Sequence, residues 1–380
     1  MISLLSQAPE MTGAYTYARE LIRGLGKRPR DVRVEVLCNE YGVPRLQGYV
    51  EATVALRQAR DFRVGKSLST RAAAMLSAAV LPGRLTRQLQ SEPAVVHYPL
   101  TVGIPRVSWP TVLSLHDTQH LDLPEQWSAG GRAWRWLTYH RAARAATMVV
   151  TGSEYARKRI IELVGVRAER IVVIHYGVDH ARFNPQPQPT DASLTARLGL
   201  PERFVYYPAG VWPHKNHRRL LEAFALLPDR QLGLVLTGAS TGRLAGLLER
   251  ARELGVAERV HFVGFVPDAD LPALYRRARA VVFPSLYEGF GLPPLEAMAC
   301  GCPVASSRRA SLAEICADAA EVLEPEDPEQ MARAITTVVD DEPRRGELRA
   351  LGLARAARFS WEAVADAHVE VYRDAARLGR

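Results

Sequence analysis

Two glutamates, Glu288 and Glu296, stand eight positions apart in a stretch rich in glycine, proline and apolar residues. Glu288 precedes a glycine-bearing loop, and Pro293-Pro294 suits the first turn of a short helix that contains Glu296. Glycines let the backbone come close to a ligand, and N–H groups at a helix start can receive phosphate oxygens. A carboxylate in that helix can accept hydrogen bonds from two vicinal hydroxyls, as on a ribose. This combination indicates a site for a nucleotide diphosphate sugar.

The sequence of this stretch as a whole resembles that of a known family. Residues 288–301 read E-G-F-G-L-P-P-L-E-A-M-A-C-G, with the two glutamates in E-x7-E spacing. This closely resembles the retaining nucleotide-sugar glycosyltransferases of family 4, which have the GT-B fold, and the resemblance extends over most of the chain. The alternative is an ordinary strand–loop–helix unit with surface glutamates. The resemblance makes Glu288 catalytic and implies that the following residues bind the donor: Glu288, Gly289, Phe290, Gly291, Leu292 and Glu296.

A lysine stands beside a second predicted helix start, where residues 212–217 read W-P-H-K-N-H. Asn216 is predicted to cap a helix that runs to Leu227, which leaves Lys215 just outside its N-terminus. A cation beside free N–H groups makes a pocket for pyrophosphate. The family uses a lysine here for the donor phosphates, often with an arginine six residues earlier, where this chain has Ala209. The resemblance thus implies that Lys215 is catalytic and binds the donor. The alternative is that Lys215 is an exposed surface lysine.

The resemblance adds three donor-binding positions. Gly13 lies in a loop between a predicted first strand and helix, although family members usually have two or three glycines there. Gly238 follows the predicted strand 232–237. Val266 follows the predicted strand 260–263, where main-chain groups meet the base in the family.

A His-Asp pair follows the predicted strand 111–115, at the carboxyl end where open α/β sheets bind ligands. The family commonly has such a pair here, facing the sugar from the N-terminal side. The resemblance therefore assigns His116 a catalytic role and places His116 and Asp117 on the acceptor side. A structural histidine at a strand end is the alternative.

No metal site or cofactor is expected. Asp268-Ala269-Asp270 has the D-x-D wording of metal-dependent glycosyltransferases, but we interpret it as a cap for the helix 271–278. The GT-B class needs no metal, so the nucleotide sugar enters only as a co-substrate. The cysteines form no zinc or disulfide framework: Cys38, Cys300, Cys302 and Cys316.

The elements that must position these residues alternate between β and α on both sides of a proline-rich stretch, which predicts an α/β protein. The resemblance implies a GT-B fold of two facing Rossmann-like domains, with the active site in the cleft between them. The expected boundaries are an N-terminal acceptor-side domain at 1–183, a linker at 184–199, a C-terminal nucleotide-sugar-binding domain at 200–358, and a terminal helix at 359–380 that crosses back to the first domain.

Positive charge is concentrated in the N-terminal half. Residues 1–182 carry 25 Lys and Arg against 15 Asp and Glu, while the whole chain of 380 residues has a net charge of +8. The densest part runs from Arg57 to Arg87 and includes a segment, 71–81, rich in Ala, Leu and Met. We expect a basic amphipathic helix there, which would bind an anionic membrane surface; a solvated helix pair is the alternative.

No nucleic-acid motif, secretory signal or membrane span is recognisable. These observations predict a cytoplasmic protein, with peripheral attachment to the inner face of the membrane left open.

The predicted function is a retaining hexosyltransferase. It would move a hexose from a nucleotide diphosphate sugar to a hydroxyl of a glycan, lipid-linked or small-molecule acceptor. The wording W-P-H-K-N recurs in family members that act on mannose-type donors, which makes GDP-mannose the first candidate. Two alternatives stay open: a GT-B-shaped sugar-nucleotide epimerase, and a non-catalytic nucleotide-sugar-binding partner of another enzyme.

Overall fold

The computed structural model describes residues 1–7, 13–28, 32–60, 62–65, 68–89 and 92–379. The chain divides into two compact units. Met1–Gly177 together with Trp361–Arg380 form the first unit, and Val178–Ser360 form the second. Each unit carries one parallel β-sheet with helices, so the α/β prediction is confirmed.

The first unit has a seven-stranded sheet in the order β3-β2-β1-β4-β5-β6-β7. Its strands are short and mostly apolar, as expected for a parallel sheet covered on both faces. In chain order they are β1 (Ile2–Leu4), β2 (Glu35–Cys38), β3 (Ala55–Gln58), β4 (Val96–Tyr98), β5 (Thr111–Ser114), β6 (Met148–Thr151) and β7 (Ile171–Val173). The strand order reverses between β1 and β4, which makes the carboxyl ends of the central strands the expected ligand edge.

Helices alternate with the strands of this unit, and the well-packed ones bury one apolar face. The helices are α1 (Gly13–Gly26), α2 (Gly42–Leu46), α3 (Leu68–Val80), α4 (Gly83–Thr86), α5 (Gln119–Asp122), α6 (Ala129–Arg135), α7 (Arg141–Ala145) and α8 (Glu154–Arg159). A π-helical turn, Trp136–His140, joins α6 to α7. Helix α1 illustrates the pattern, because Ala18, Leu21, Ile22 and Leu25 are all buried.

The second unit has a six-stranded sheet in the order β10-β9-β8-β11-β12-β13. The strands are β8 (Phe204–Pro208), β9 (Gly233–Thr237), β10 (Val260–Gly264), β11 (Ala280–Phe283), β12 (Val304–Ser306) and β13 (Glu321–Val322). The helices are α9 (Thr190–Arg197), α10 (His217–Leu226), α11 (Leu244–Glu253), α12 (Leu271–Arg277), α13 (Leu292–Ala299), α14 (Leu312–Cys316), α15 (Pro328–Asp340) and α16 (Glu342–Ala356).

The last helix, α17 (Trp361–Leu378), packs against α1 in the first unit. The hydroxyl of Tyr17 lies 2.7 Å from Nε2 of His368, and Arg28 pairs with Asp366. The terminal helix thus crosses back as the predicted fold requires.

Residues 184–199 contain helix α9 and belong to the second unit. Asp191 in α9 receives two hydrogen bonds of 2.7 Å from Arg276 in α12, and both side chains are nearly buried. The units divide at Gly177, a few residues before the boundary at 183 expected from the sequence. The N–H of Val178 donates to the carbonyl oxygen of Phe359 at 3.2 Å, so the two ends of the second unit lie side by side.

Within the basic stretch from Arg57 to Arg87, the segment rich in Ala, Leu and Met forms helix α3, as predicted, but most of the arginines of the stretch lie outside this helix. Arg57 lies in β3, whereas α3 carries Arg71 as its single basic residue. The helix is built on Ala, Leu and Met because these residues have high helix propensity. Asp61 and Lys66 lie outside the described residues. None of the described helices is long and apolar enough to cross a bilayer.

Candidate functional site

One asparagine ties three loops of the second unit together. Asn216 has a left-handed backbone, with φ of 62°, and its Nδ2 donates to the carbonyl oxygens of Pro284 at 3.2 Å and Pro325 at 2.6 Å. Asn216 directly precedes α10, as predicted, but its side chain makes no capping hydrogen bond to that helix. The amide is already used by two carbonyl oxygens that are distant in the sequence.

The structure brings Lys215 and Glu288 together. The Nζ atom of Lys215 donates to Oε1 of Glu288 at 2.6 Å, and their side chains are 17% and 12% exposed. The loops that carry them are joined by a backbone bond of 2.7 Å from the Leu286 N–H to the His214 carbonyl. An ion pair shielded from water in this way is an electrostatically strong one. A phosphate can replace the carboxylate as the partner of such an ammonium group.

A buried tyrosine fixes the backbone beneath this pair. Tyr207 lies in strand β8, and its hydroxyl donates to the Lys215 carbonyl at 2.7 Å and lies 3.0 Å from Oγ of Ser285. Burial raises the pKa of Tyr207 well above its ordinary value, with the Glu288 carboxylate as a further cause. The hydroxyl therefore stays protonated and keeps its role as a donor.

The glycine-bearing loop after Glu288 is held from below by Ser311. Its Oγ lies 2.9 Å from the Glu288 carbonyl oxygen and 2.7 Å from that of Phe290. Gly291 has φ of 115°, and a Cβ at this position would lie 2.9 Å from Cδ2 of Leu312. The backbone conformation thus favours glycine here, and a larger residue would also have to displace the Leu312 side chain.

Helix α13 begins at Leu292 and has Pro293 and Pro294 in its first turn, as the sequence predicts. Because these prolines have no N–H, Gly291 and Leu292 carry the backbone donors that remain at this helix start. Further along, Oε2 of Glu296 accepts a hydrogen bond of 2.9 Å from the buried hydroxyl of Tyr275. This contact fixes the orientation of the Glu296 carboxylate.

The remaining predicted donor positions follow strands β9, β10 and β11. Gly238 has φ of 126°, and a Cβ there would lie 2.6 Å from the backbone nitrogen of Gly210. Its N–H donates to the Gly264 carbonyl at 2.7 Å, which ties the loops after β9 and β10 together. Val266 and Phe290 are buried. The roles assigned to these residues, and to Gly289, stay predictions.

The D-x-D residues have arginine partners. Asp268 lies 3.7 Å from Arg182, and Asp270 lies 2.8 Å from Arg197. Asp270 directly precedes α12, as predicted, but its side chain makes no capping hydrogen bond to that helix. Within the described ranges, no group of three or more His, Cys, Asp or Glu side chains is placed to hold a metal ion.

In the first unit, His116 uses both ring nitrogens on protein partners. Nε2 lies 2.7 Å from the Pro99 carbonyl, and Nδ1 lies 2.5 Å from the Tyr176 hydroxyl. Since a carbonyl only accepts, Nε2 carries the proton and Nδ1 of the neutral ring accepts from the tyrosine. Burial lowers the pKa of His116, which keeps the ring neutral. A ligand contact through either nitrogen requires one partner to leave, and the catalytic role of His116 stays a prediction.

Asp117 and Gly13 complete the predicted set. Oδ1 of Asp117 accepts from the Gln119 N–H at 3.0 Å. Gly13 is the first residue of α1, and a Cβ there would meet nothing within 4 Å. Residues 8–12 of its loop lie outside the described residues. The predicted roles of Gly13 and Asp117 therefore stay predictions.

Several supporting side chains were missed from the sequence. Tyr207 and Ser285 stand at or just beyond the carboxyl ends of buried strands, which was a usable signal. Tyr275 and Ser311 gave none, because each contacts the site from a distant part of the chain.

Two family models cover most of the chain: "Glycosyltransferase Family 4" matches residues 11–182, and "Glycosyl transferases group 1" matches residues 196–352. The O-antigen chain mannosyltransferase B of Escherichia coli is 34% identical over 266 residues, covering 69% of this chain and 70% of that protein. Serotype-specific mannosyltransferase WbdA of the same organism is 31% identical over 290 residues, covering 71% of this chain and 34% of its own length.

Solved structures agree on the fold. Anabaena HepE, in complex with UDP and glucose, superposes with a TM-score of 0.75 at 22% identity and covers 98% of this chain and 99% of its own. WaaG, a glycosyltransferase of lipopolysaccharide biosynthesis, reaches 0.74 at 17% identity, covering 98% and 99%. The predicted GT-B fold is thereby confirmed. With the family models and the Escherichia coli relative, these findings make the chain a member of the family 4 glycosyltransferases.

Proposed function

We propose that this glycosyltransferase moves mannose from GDP-mannose to an acceptor hydroxyl with retention of the anomeric configuration. The observation that carries the proposal is the shielded pair of Lys215 and Glu288, 2.6 Å apart, beside the start of α13. The mannosyltransferase names of the Escherichia coli relatives support the choice of sugar.

In the proposed reaction, the bond between the sugar C1 and the diphosphate oxygen breaks, and its electron pair leaves with the phosphate. The acceptor oxygen bonds to C1 on the same face, and its proton passes to the departing phosphate. Lys215 would stabilise the negative charge that develops on this leaving group, together with N–H groups at the α13 start. No metal ion or further cofactor takes part in the proposal.

The two glutamates would hold different parts of the donor. Once a phosphate oxygen takes the place of Glu288 beside Lys215, the freed carboxylate can accept hydrogen bonds from the sugar hydroxyls. Glu296, oriented by Tyr275, would accept from the ribose hydroxyls. His116 and Asp117 are assigned to the acceptor side.

The acceptor is proposed to be a glycan or lipid-linked hydroxyl. The O-antigen name of one relative supports this class. A small phosphorylated acceptor is the second candidate, because D-inositol 3-phosphate glycosyltransferase 1 of Catenulispora acidiphila is 35% identical over 62% of this chain. A cytoplasmic location belongs to the same proposal.

The test begins with thermal shifts of the protein against GDP, UDP, dTDP and ADP, followed by their sugars. GDP and GDP-mannose should raise the melting temperature most. The Anabaena HepE structures with UDP and UDP-glucose make UDP the competing base. A larger rise in the melting temperature with UDP would overturn the assignment of GDP-mannose as the donor. It would leave the proposed transferase activity in place.

Proton NMR of the product with a hydroxyl acceptor then reports the configuration at C1. An α-mannoside from the α-linked donor is expected, and a β-product would contradict retention. Turnover of the nucleotide sugar without any acceptor would favour the epimerase. Tight nucleotide binding without transfer would favour the non-catalytic partner.

A further inference from the structure

Helix α3 of the first unit presents large apolar side chains to solvent. Leu76 and Val80 lie one turn apart and are 66% and 65% exposed, and Leu81, just after the helix, is 46% exposed. Residues at this spacing occupy the same helix face. Contiguous exposed apolar side chains of this size indicate a binding surface.

A groove of about 520 Å³ runs along one side of α3 and continues the apolar surface. The larger aliphatic and tryptophan side chains of its lining include Met75, Leu76, Val102, Val107, Trp134 and Leu137. Trp136, in the π-helical turn beside it, is 52% exposed. Among the described residues, Arg106 and Arg141 are the only charged ones in the lining, and neither of them has an ion-pair partner there.

A basic cavity of about 470 Å³ lies on the other side of the helix. Arg60, Arg84 and Arg87 line it together with Ser77 of α3, and no acidic residue contributes to the described lining. Within the described ranges none of these three arginines forms an ion pair, in contrast to Arg57, which lies 2.6 Å from Glu35. The sequence from 62 to 91 contains no Asp or Glu at all.

We propose that this surface, formed by the outer face of α3 with the apolar groove and the basic cavity on its two sides, docks on an anionic phospholipid membrane. Lipid phosphates would enter the arginine-lined cavity, while Leu76, Val80 and the tryptophans reach the acyl boundary. Arginine and tryptophan are the residues that favour the lipid–water interface. A symmetric contact with a second copy would place the same unpaired arginines against one another, which disfavours self-association.

This inference deepens the proposed function, because it assigns the membrane contact to defined residues and so brings the enzyme to lipid-linked acceptors. The link to lipid-linked acceptors rests on the proposed function, whereas the membrane contact itself does not. Vesicle binding requires no donor, so the two proposals can fail separately.

The test is co-sedimentation of the full chain with phosphatidylcholine vesicles, with and without phosphatidylglycerol, at low and high salt. The basic variant is Arg84→Gln/Arg87→Gln, and its matched control is Arg230→Gln/Arg358→Gln, which removes two exposed arginines of the second unit. The apolar variant is Leu76→Gln/Val80→Gln, matched by Leu226→Gln/Leu378→Gln. Circular dichroism and the melting shift with GDP check that each variant is folded.

Binding should require phosphatidylglycerol and weaken at high salt, because surface charges are screened. The basic variant should lose about thirtyfold in partitioning, since each arginine at an anionic surface contributes roughly a factor of five. The apolar variant should lose about tenfold or more, and both controls should bind as the unchanged chain does.

Equal binding to neutral vesicles, unchanged binding of either variant, or equal losses in the controls would overturn the proposal. Preferential binding of RNA would also overturn the proposal, and so would a dimer that the apolar variant abolishes. In either case the surface would bind something other than a membrane. Vesicle binding by a chain that shows no shift with any nucleotide would instead overturn the proposed function and leave the docking surface in place.

Discussion

Lys215 in the second unit and His116 in the first both follow a strand of a parallel sheet, yet their polar atoms are held in different ways. The ammonium of Lys215 faces a carboxylate, which a ligand phosphate can replace. Both nitrogens of His116 face fixed protein partners, one of them a backbone carbonyl. The two side chains thus differ in their partners: the partner of Lys215 is a carboxylate that a ligand could replace, whereas His116 is held by a backbone carbonyl and a buried tyrosine.

The groups around His116 and Lys215 also differ in charge. In the first unit a chain of neutral groups continues behind His116: Ser114 lies within hydrogen-bond distance of both Tyr17 and His97, and Tyr17 in turn contacts His368 of α17. Burial lowers the pKa of His97 and His368, so this chain carries no charge near neutral pH. The second unit instead has a Lys–Glu ion pair at its candidate site.

Replacing Lys215 is the strongest way to break this comparison. Lys215→Ala should lower transfer by roughly a hundredfold to a thousandfold, as expected for the loss of one group that stabilises transition-state charge. Affinity for the nucleotide diphosphate should fall about tenfold to a hundredfold. Isothermal titration and initial rates measure the two effects.

Glu288, the ion-pair partner of Lys215, provides the control for that variant. Lys215→Ala leaves Glu288 unpaired and destabilises the fold, so the double change Lys215→Ala/Glu288→Gln should recover the melting temperature and remain inactive. Unchanged nucleotide affinity in the single variant would show that Lys215 is only a structural partner of Glu288.

The two glutamates should fail in different ways, which sharpens the contrast within the second unit. Glu288→Gln should depress turnover about a hundredfold and leave free-nucleotide affinity nearly normal, because this carboxylate is assigned to the sugar. Glu296→Gln should mainly raise the apparent donor constant, by about tenfold, through weaker ribose contacts. Donor titrations of initial rate, with nucleotide binding in parallel, separate the two. Equal losses of nucleotide affinity would contradict the division of roles.

Lowering the pH should destabilise the first unit, because its buried histidines are neutral in the folded protein. The pKa of His368 is lowered from 6.5 to about 4 in the folded protein. The unfolded chain therefore binds more protons between these two pKa values, so stability is full above pH 6.5 and falls as the pH drops towards 4. At pH 5 the loss from this one group is roughly 2 kcal/mol.

A non-titrating variant isolates that contribution. His368→Gln keeps a polar partner for Tyr17, and its melting temperature should fall less than that of the unchanged chain between pH 7.5 and 5. Parallel pH profiles of the two proteins would place the acid sensitivity elsewhere, for example at buried His217 of the second unit, whose pKa is also lowered to about 4.

The smallest effect tests the support of Glu296. Tyr275→Phe removes the 2.9 Å hydrogen bond to the carboxylate, and the apparent donor constant should rise about threefold to tenfold. Tyr206→Phe is the matched control, since its hydroxyl bonds to Thr237 and its ring contacts that of Tyr275. A similar rise in both variants would indicate a general packing effect.

The sequence was most informative where local patterns decide the structure. Alternating elements gave the α/β class, and the prolines of α13 marked its start, because both depend on neighbours along the chain. Asn216 shows the limit: capping residues normally bond within their own helix, whereas this side chain bonds to carbonyls 68 and 109 positions away. The ion pair of Lys215 with Glu288 spans 73 positions and was likewise visible only in the fold.

The hydrogen bond between Val178 and Phe359 has a consequence for how such an enzyme can be rebuilt. Topologically, the second unit is an insertion: one uninterrupted segment, Val178–Ser360, enters and leaves the first unit at neighbouring residues. Recombination at these two adjacent joints would exchange a complete module while leaving helix α17 and the sheet of the first unit in their own chain. Under the proposed function this module carries the donor-binding residues, so donor specificity should move with it.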